Sequence, residues 1–494
     1  MTRRLVATLF LMSMSLYPIL PARAISPVDC DFDGDAKADL PVGVPAARVE
    51  LEDGVIKWAA GAVVVFPGTS SGPSTANATI WSQDSPGVIG SPGSNENLGR
   101  SVACGDFNED GYEDLAIGAG NVGWSGTVNV LFGSATGLTA EGDVLISWTS
   151  LALGVSGEDL SEVMASGDFN GDEASDLAFS GTVINGPDAI PVVITVLGSA
   201  AGLDQATASV WTVDTGAVLG TSTDSTNFGR SLASGDLNGD TFADLAIGSD
   251  GVISGGAAGA VHVLYGNVTG LADEDNQRWT QDSTGIVGLS EVGDEFGESL
   301  AAGDFDGDGI DDLVVGAPGE NSDRGLVHVL HGSLTGLTAA GSQMWWQATP
   351  GIPGVNEGDQ RFAHSLAVGD LDGDGYADVA IGVPRDGGQQ VGAINVLYGT
   401  VGGITATGAA LFNQDTPGVK GTAGYNEGFG ASVAALDMSG DGRSDVAIAV
   451  PGDLAVAFLP GSDTGLSTLG DKLFEALEPI YGSLTVGPGW SSPI

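Results

Sequence analysis

The chain has 494 residues, 80 of them glycine, with 42% hydrophobic and only 16% charged residues. That is enough apolar material to bury a core, which excludes a disordered acidic polymer. With 64 acidic residues against 15 basic ones the formal net charge is −49. Such a surface repels nucleic acid and anionic membranes and attracts cations.

In chain order, the first element reads as an export signal. Arg3 and Arg4 precede a broken apolar run, Leu5 to Leu20, and Ala22-Arg23-Ala24 forms an A-x-A-like cleavage site. Residues 1–24 are expected to be removed, leaving a mature chain without a membrane span that is secreted or held at the cell surface or in the periplasm. An acidic nine-residue motif then recurs seven times, at 31–39, 106–114, 168–176, 236–244, 304–312, 370–378 and 437–445. Its spacings are 75, 62, 68, 68, 66 and 67 residues. A tail, 481–494, follows the last repeat.

Each repeat offers four short strands. A Ser-Leu-Ala-x-Gly run enters the acidic loop, and a run such as Asp244 to Gly248 leaves it. A third alternates small and branched residues, as from Gly259 to Gly266. The fourth carries an aromatic: Trp81, Trp148, Trp211, Trp279, Trp345, Phe412 and Phe474. A lone four-stranded sheet cannot bury both of its faces, but ringed neighbours bury them mutually. Residues 25–480 are therefore expected to form an all-β, seven-bladed propeller of four-stranded antiparallel blades, with one calcium loop per blade. An open solenoid would need polar capping repeats, and none is evident.

Calcium takes six to eight oxygens from carboxylates, carbonyls and water. A loop with Asp or Asn at positions 1, 3, 5 and 9, and preferably Gly at the sharp turn of position 6, can wrap one ion. Loop one offers Asp31, Asp33, Asp35 and Asp39, with Ala36 at the turn; loop two offers Asp106, Asn108, Asp110 and Asp114. Loop three has Asp168, Asn170, Asp172 and Asp176 with Glu173 at the turn, and loop four Asp236, Asn238, Asp240 and Asp244 with Thr241. Loops five (Asp304, Asp306, Asp308, Asp312) and six (Asp370, Asp372, Asp374, Asp378) are complete, with Gly309 and Gly375. Loop seven carries Asp437, Ser439, Asp441 and Asp445. Up to seven Ca²⁺ ions are expected, bound best in loops five and six and least in three and seven. Seven such loops in register outweigh the alternative of ordinary solvated turns.

Phe228-Gly229, Phe296-Gly297 and Phe429-Gly430, with Gly316-Ala317-Pro318 and Gly382-Val383-Pro384, resemble FG-GAP repeats. These are the units of the integrin α-subunit N-terminal β-propeller, here in a bacterial-type exported form. Leu98-Gly99, Leu160-Ser161, Phe362-Ala363 and Phe179-Ser180-Gly181 depart from the signature. Those blades are expected to be less regular. The resemblance implies that metals brace the scaffold. It also implies that the linkers between blades, such as 83–90 and 281–288, lie on the opposite, ligand face.

Cys30 and Cys104 fall on opposite faces of equivalent inner strands. A bridge between blades one and two and a pair of buried free thiols are both open. His262 and His328 share a repeat position with Asn129 and Asn395, which points to a structural role in the third strand. His331 and His364 fit no motif, and no catalytic constellation stands out. Trp58 and Trp124 lie outside the repeat pattern as candidate contact residues. The expected function is a monomeric, non-enzymatic adhesion or recognition module for an extracellular protein or glycan. A hydrolase or lyase on the ligand face, or a purely structural surface component, are the alternatives.

Overall fold

The computed structural model describes residues 30–475 apart from 52–53, 121–125, 152, 187, 221–226, 254–255 and 388. The expected signal peptide, the tail 481–494 and Trp124 lie outside the described residues. The protein is all-β: seven antiparallel blades stand in a ring. Blade five is representative, with strands Ser299–Gly303, Asp312–Ala317, Leu326–His331 and Thr338–Trp345 in spatial order from the centre outward. Its second strand is buried throughout and its third almost throughout. Such near-continuous apolar runs occur where neighbours cover a sheet on both sides. The fourth strand is part-buried, with Ala340 and Gly341 exposed, as suits an outer strand.

In blade one, Leu40–Val44, Ala62–Phe66 and Thr79–Trp81 are described. The residues where the repeat places its innermost strand precede Cys30 and lie outside the described set. Cys30 and Cys104 are bridged, with Cα atoms 5.3 Å apart. The disulfide joins blade one to the inner strand of blade two, Val102–Gly105.

The last blade closes directly on the first. Phe66 and Phe474 stack with centroids 4.9 Å apart, and the Lys472 ammonium donates to Pro73 O at 2.6 Å. Leu436, Met438, Val456 and Phe458 share one apolar core with Leu40, Val64 and Phe66. Blade seven supplies its own fourth strand, Lys472–Glu475, in the order of the other blades.

The signature glycines are contact points between blades. A Cβ on Gly316 would lie 2.7 Å from Ala363 O, and one on Gly382 would lie 2.2 Å from Gly430 O. The second residue of the Phe-Gly pair in one blade thus abuts the glycine of the preceding blade. A serine clips the same seam: Ser299 Oγ donates to Ala363 O, and Ser365 Oγ to Gly430 O. The phenylalanines (Phe296, Phe362, Phe429) are buried beside a glycine of the preceding blade.

The expected irregularity is confined to blade three. Blade six keeps the five-pair ladder of blade five despite Ala363. In blade two, Leu98 occupies the phenylalanine's place, fully buried, and pairs with Gly61 as Phe296 does with Gly259. Backbone position matters at this seam more than side-chain identity. Blade three has Ser180, and blade seven Ala449, where blades one, two, four, five and six carry the contact glycine. Blade three extends its central hairpin, Asp176–Asn185 with Asp188–Leu197, and adds a short strand, Ser156–Glu158.

Two consequences are measurable. Gly382→Ala forces its Cβ into Gly430 O and should cost about 2–3 kcal/mol. Gly375→Ala meets no atom and should cost only about 1 kcal/mol, from its φ of +91°; denaturant unfolding of the two variants ranks them. Cys104→Ser should lower stability by about 2–4 kcal/mol, because it frees a loop closed across 74 residues. An unchanged unfolding midpoint in that variant would count against the bridge.

Candidate metal centre

Each acidic loop connects the first and second strands of its blade. Its backbone is organised by its first aspartate. In loop five the N–H groups of Gly307 and Asp308 donate to Asp304 Oδ1 at 2.7 and 3.1 Å, and that of Gly309 to Oδ2 at 2.9 Å. Asp306 Oδ1 accepts from Asp308 N, and Asp308 Oδ1 from Ile310 N. Loop six repeats this set residue for residue. One oxygen of each carboxylate at positions 3 and 5 is thereby fixed and the other is left for a cation.

The loop turns twice through the left-handed region, at positions 4 and 6. Gly307 and Gly309 sit there at φ +74° and +87°. Sequence reasoning identified position 6 and missed position 4. Position 6 is left-handed even where it is not glycine: Ala36, Glu173 and Thr241 have φ of +61°, +77° and +76°.

Carboxylate oxygens at positions 1, 3 and 5 converge within 4.8 Å in loop one (Asp31, Asp33, Asp35), loop five (Asp304, Asp306, Asp308) and loop six (Asp370, Asp372, Asp374). Burial and the neighbouring carboxylates raise the pKa values of Asp33, Asp306 and Asp372. This is the strain a divalent cation relieves. In loop one the Lys37 ammonium lies 2.8 Å from Asp35. In loops two and three the asparagine at position 3 donates to the acid at position 5 instead: Asn108 Nδ2 to Asp110 Oδ2 and Asn170 Nδ2 to Asp172 Oδ2. In loop seven, Ser439 Oγ donates weakly to Asp437, and Arg443 faces Asp441 at 3.4 Å.

The aspartate at position 9 plays a different part. Asp378 Oδ2 accepts from Leu371 N within the loop, and Oδ1 from Gly399 N after the third strand. Asp39, Asp114, Asp176, Asp244 and Asp312 do the same in their blades, and Asp445 accepts from Gly461 N. These buried carboxylates tie the loop to the adjoining hairpin from beneath. Burial pushes Asp114, Asp176, Asp244 and Asp378 up to about 8, and Asp39 and Asp445 to about 7.

The loops also join the blades. The carbonyl of position 1 accepts from the next blade in every case: Glu113 N to Asp31 O, Ser175 N to Asp106 O, Ala243 N to Asp168 O, and so on to Ala38 N, which donates to Asp437 O at 2.9 Å. The carbonyl of position 2 accepts a second bond, from Ser134 N to Phe32 O through to Thr69 N to Met438 O. Both series run around the whole ring.

The opposite face carries the loops between second and third strands and the interblade linkers. A cavity of about 740 Å³ opens near the axis there, with Arg230, Glu298 and His364 among its lining residues and Leu232, Leu300 and Leu366 as apolar wall. Arg100 pairs with Glu162 and Arg230 with Glu298, each across a blade seam. The linkers expose Leu289, Val355 and Tyr425. Trp58, on this face, is half exposed and stacks under Arg48. His262 and His328 are buried against Phe228 and Phe296, in keeping with a structural place.

A family model described as "FG-GAP repeat" matches residues 98–131, 228–264, 296–330 and 362–397. The chain carries FG-GAP repeats. These segments are blades two, four, five and six, so the match includes two of the three blades whose Phe-Gly pair is altered. The chain is 30% identical over 235 residues to integrin alpha-PS2 of Drosophila melanogaster, covering 46% of this chain and 15% of that protein. It is 30% identical to integrin alpha-5 of Xenopus laevis, covering 55% and 23%. It is 31% identical to phosphatidylinositol-glycan-specific phospholipase D of Bos taurus, covering 35% and 21%. The chain thus spans about a fifth of the length of the relatives it matches.

The raised position-9 carboxyls fix the sign of a pH effect. A folded pKa above the unfolded value gives stability that is full below about pH 4 and lost as pH rises through 7–8. The chelated protein should therefore melt lower at about pH 8.5 than at about pH 6.5, and Ca²⁺ should raise the melting temperature most at the higher pH. That window lies above the range where the buried histidines His262, His328 and His364, pushed down to about 3–4, take up protons. A flat or rising profile in EDTA would refute this account of the carboxyls.

Proposed function

We propose that the chain is an exported, calcium-stabilised β-propeller that recognises an extracellular protein or glycan through the face opposite its acidic loops. The division of the two faces carries this reading. One face repeats the same loop seven times and uses it to lock blade to blade. The other face repeats its linkers only in outline, varies along the axial collar, and presents exposed Leu289, Val355 and Tyr425 on the same side as a cavity lined by charged residues. Repetition serves the scaffold, and variation serves a partner.

The relatives support the reading. An integrin α subunit and a phospholipase D share this segment over a minor part of their length. A unit common to two such different proteins is better explained as a scaffold for contacts than as the source of either one's activity. Among the described residues no helix is long and apolar enough to cross a membrane. The last blade also packs directly on the first, which supports a ring closed within one chain.

One observation favours the enzymatic alternative. The residue two after each Phe-Gly phenylalanine or its substitute differs around the axis: Arg100, Glu162, Arg230, Glu298, His364 and Ala431. His364 Nδ1 is buried without a hydrogen bond, and burial keeps the ring neutral. The arginines and glutamates of this collar are spent on ion pairs with each other, which favours recognition over chemistry. Protein and glycan arrays probed with Ca²⁺ and with EDTA test the reading: saturable binding abolished by Leu289→Asp or Tyr425→Ala is expected. Binding that survives both, or turnover of a glycan or ester panel lost in His364→Ala, would overturn it.

A further inference from the structure

Loop five differs from the other six in one respect that sequence motifs do not reveal. The residue that follows the buried core of the third strand is Pro67, Phe132, Leu197, Tyr265, Tyr398 or Pro460 in the other blades, but His331 in blade five. Its Nδ1 lies 3.2 Å from Asp312 Oδ1 and 3.6 Å from Asp306 Oδ2. The three donor atoms form a group within 4.8 Å, and Asp306 belongs as well to the group of Asp304 and Asp308.

The Nδ1 edge of the ring faces the two carboxylates, and the Nε2 edge lies toward the backbone at Gly341. A cation entering between imidazole and carboxylates would take the place of the Nδ1 proton and leave Nε2–H on the Gly341 side, the tautomer such a ligating histidine carries. The spacing also fits a small ion. Donors bound at about 2.1 Å to one ion lie about 3.0–3.4 Å apart in octahedral or tetrahedral geometry. Imidazole nitrogen prefers zinc, cobalt or nickel to calcium, which prefers oxygen.

We propose that loop five is a mixed nitrogen–oxygen site that takes a borderline transition-metal dication, of the zinc, cobalt and nickel class, through Asp306, Asp312 and His331. The proposal rests on the reading of the acidic loops as cation sites and assigns one of them a different ion. Asp312 then acts as a ligand as well as a brace.

Cobalt is the probe, because nitrogen ligation gives it a visible absorption band. The full chain held in millimolar Ca²⁺ is titrated with CoCl₂, and bound metal is counted after gel filtration. A single cobalt ion should bind, resist excess Ca²⁺ and be displaced by zinc. His331→Phe, the residue of blade two, should lose the band and bind cobalt at least about tenfold more weakly, with calcium uptake unchanged. His331→Gln keeps a polar group there and serves if the phenylalanine disturbs folding; Asp306→Asn should weaken cobalt comparably. Equal cobalt uptake by wild type and both His331 variants would overturn the proposal, as would displacement by calcium. Then His331 is only a protonated partner of Asp312. Cobalt uptake with no calcium uptake anywhere would instead overturn the calcium reading and leave this site standing.

Discussion

The ring of hydrogen bonds that runs through the acidic loops is the constraint on which the rest of the structure depends. At every seam the first two carbonyls of one loop accept N–H groups from the next blade, including the seam between last and first. Two such bonds are worth about 1–3 kcal/mol per seam, little for one joint but repeated around a closed circle. Each works only if the loop holds its shape. The first aspartate sets that shape by gathering three backbone N–H groups, and its neighbours then crowd their carboxylates into one small volume. A cation in that volume therefore acts on two blades at once. Its loss is felt at the seam and not only in the loop.

The paired glycines do the equivalent work on the other side of each seam. Where the second residue of a Phe-Gly pair meets the contact glycine of the preceding blade, backbones touch with no room for a methyl group. The adjoining serine turns that closeness into a hydrogen bond. This explains why Ala363 fits opposite Gly316: the contact is made by the carbonyl, which every residue has. Blade three, with Ser180 at the contact position, has rebuilt its hairpin.

Much of this was legible in the sequence. The period of the acidic motif gave the blade count, the alternation of apolar runs gave the strand order, and the spacing of Cys30 and Cys104 left room for the bridge that forms. The rest was hidden because it depends on neighbours that are distant in sequence. The bracing part of the aspartate at position 9 could not be read from spacing: both oxygens of Asp378 accept backbone N–H groups, one of them 21 residues away. The second left-handed position at residue 4 went unseen because loop two carries Glu109 there, at φ +56°, where the others have glycine. His331 carried no signal, because nothing local shows that the end of the third strand returns to the loop.

The same asymmetry orders the two faces. On the loop face, positions that break the pattern are compensated in place: Lys37 beside Asp35, Asn108 bridging to Asp110, Arg443 beside Asp441. Each supplies positive charge or an N–H where a neighbouring carboxylate would otherwise stand unrelieved, so the joint keeps its shape as its composition drifts. On the axial collar of the opposite face, substitutions are not restored to a common type. At one register position an arginine–glutamate pair forms at two seams, Arg100 with Glu162 and Arg230 with Glu298, and then gives way to His364 and Ala431. A scaffold that must close seven times needs the first kind of variation. Only a surface read by something outside the chain has a use for the second.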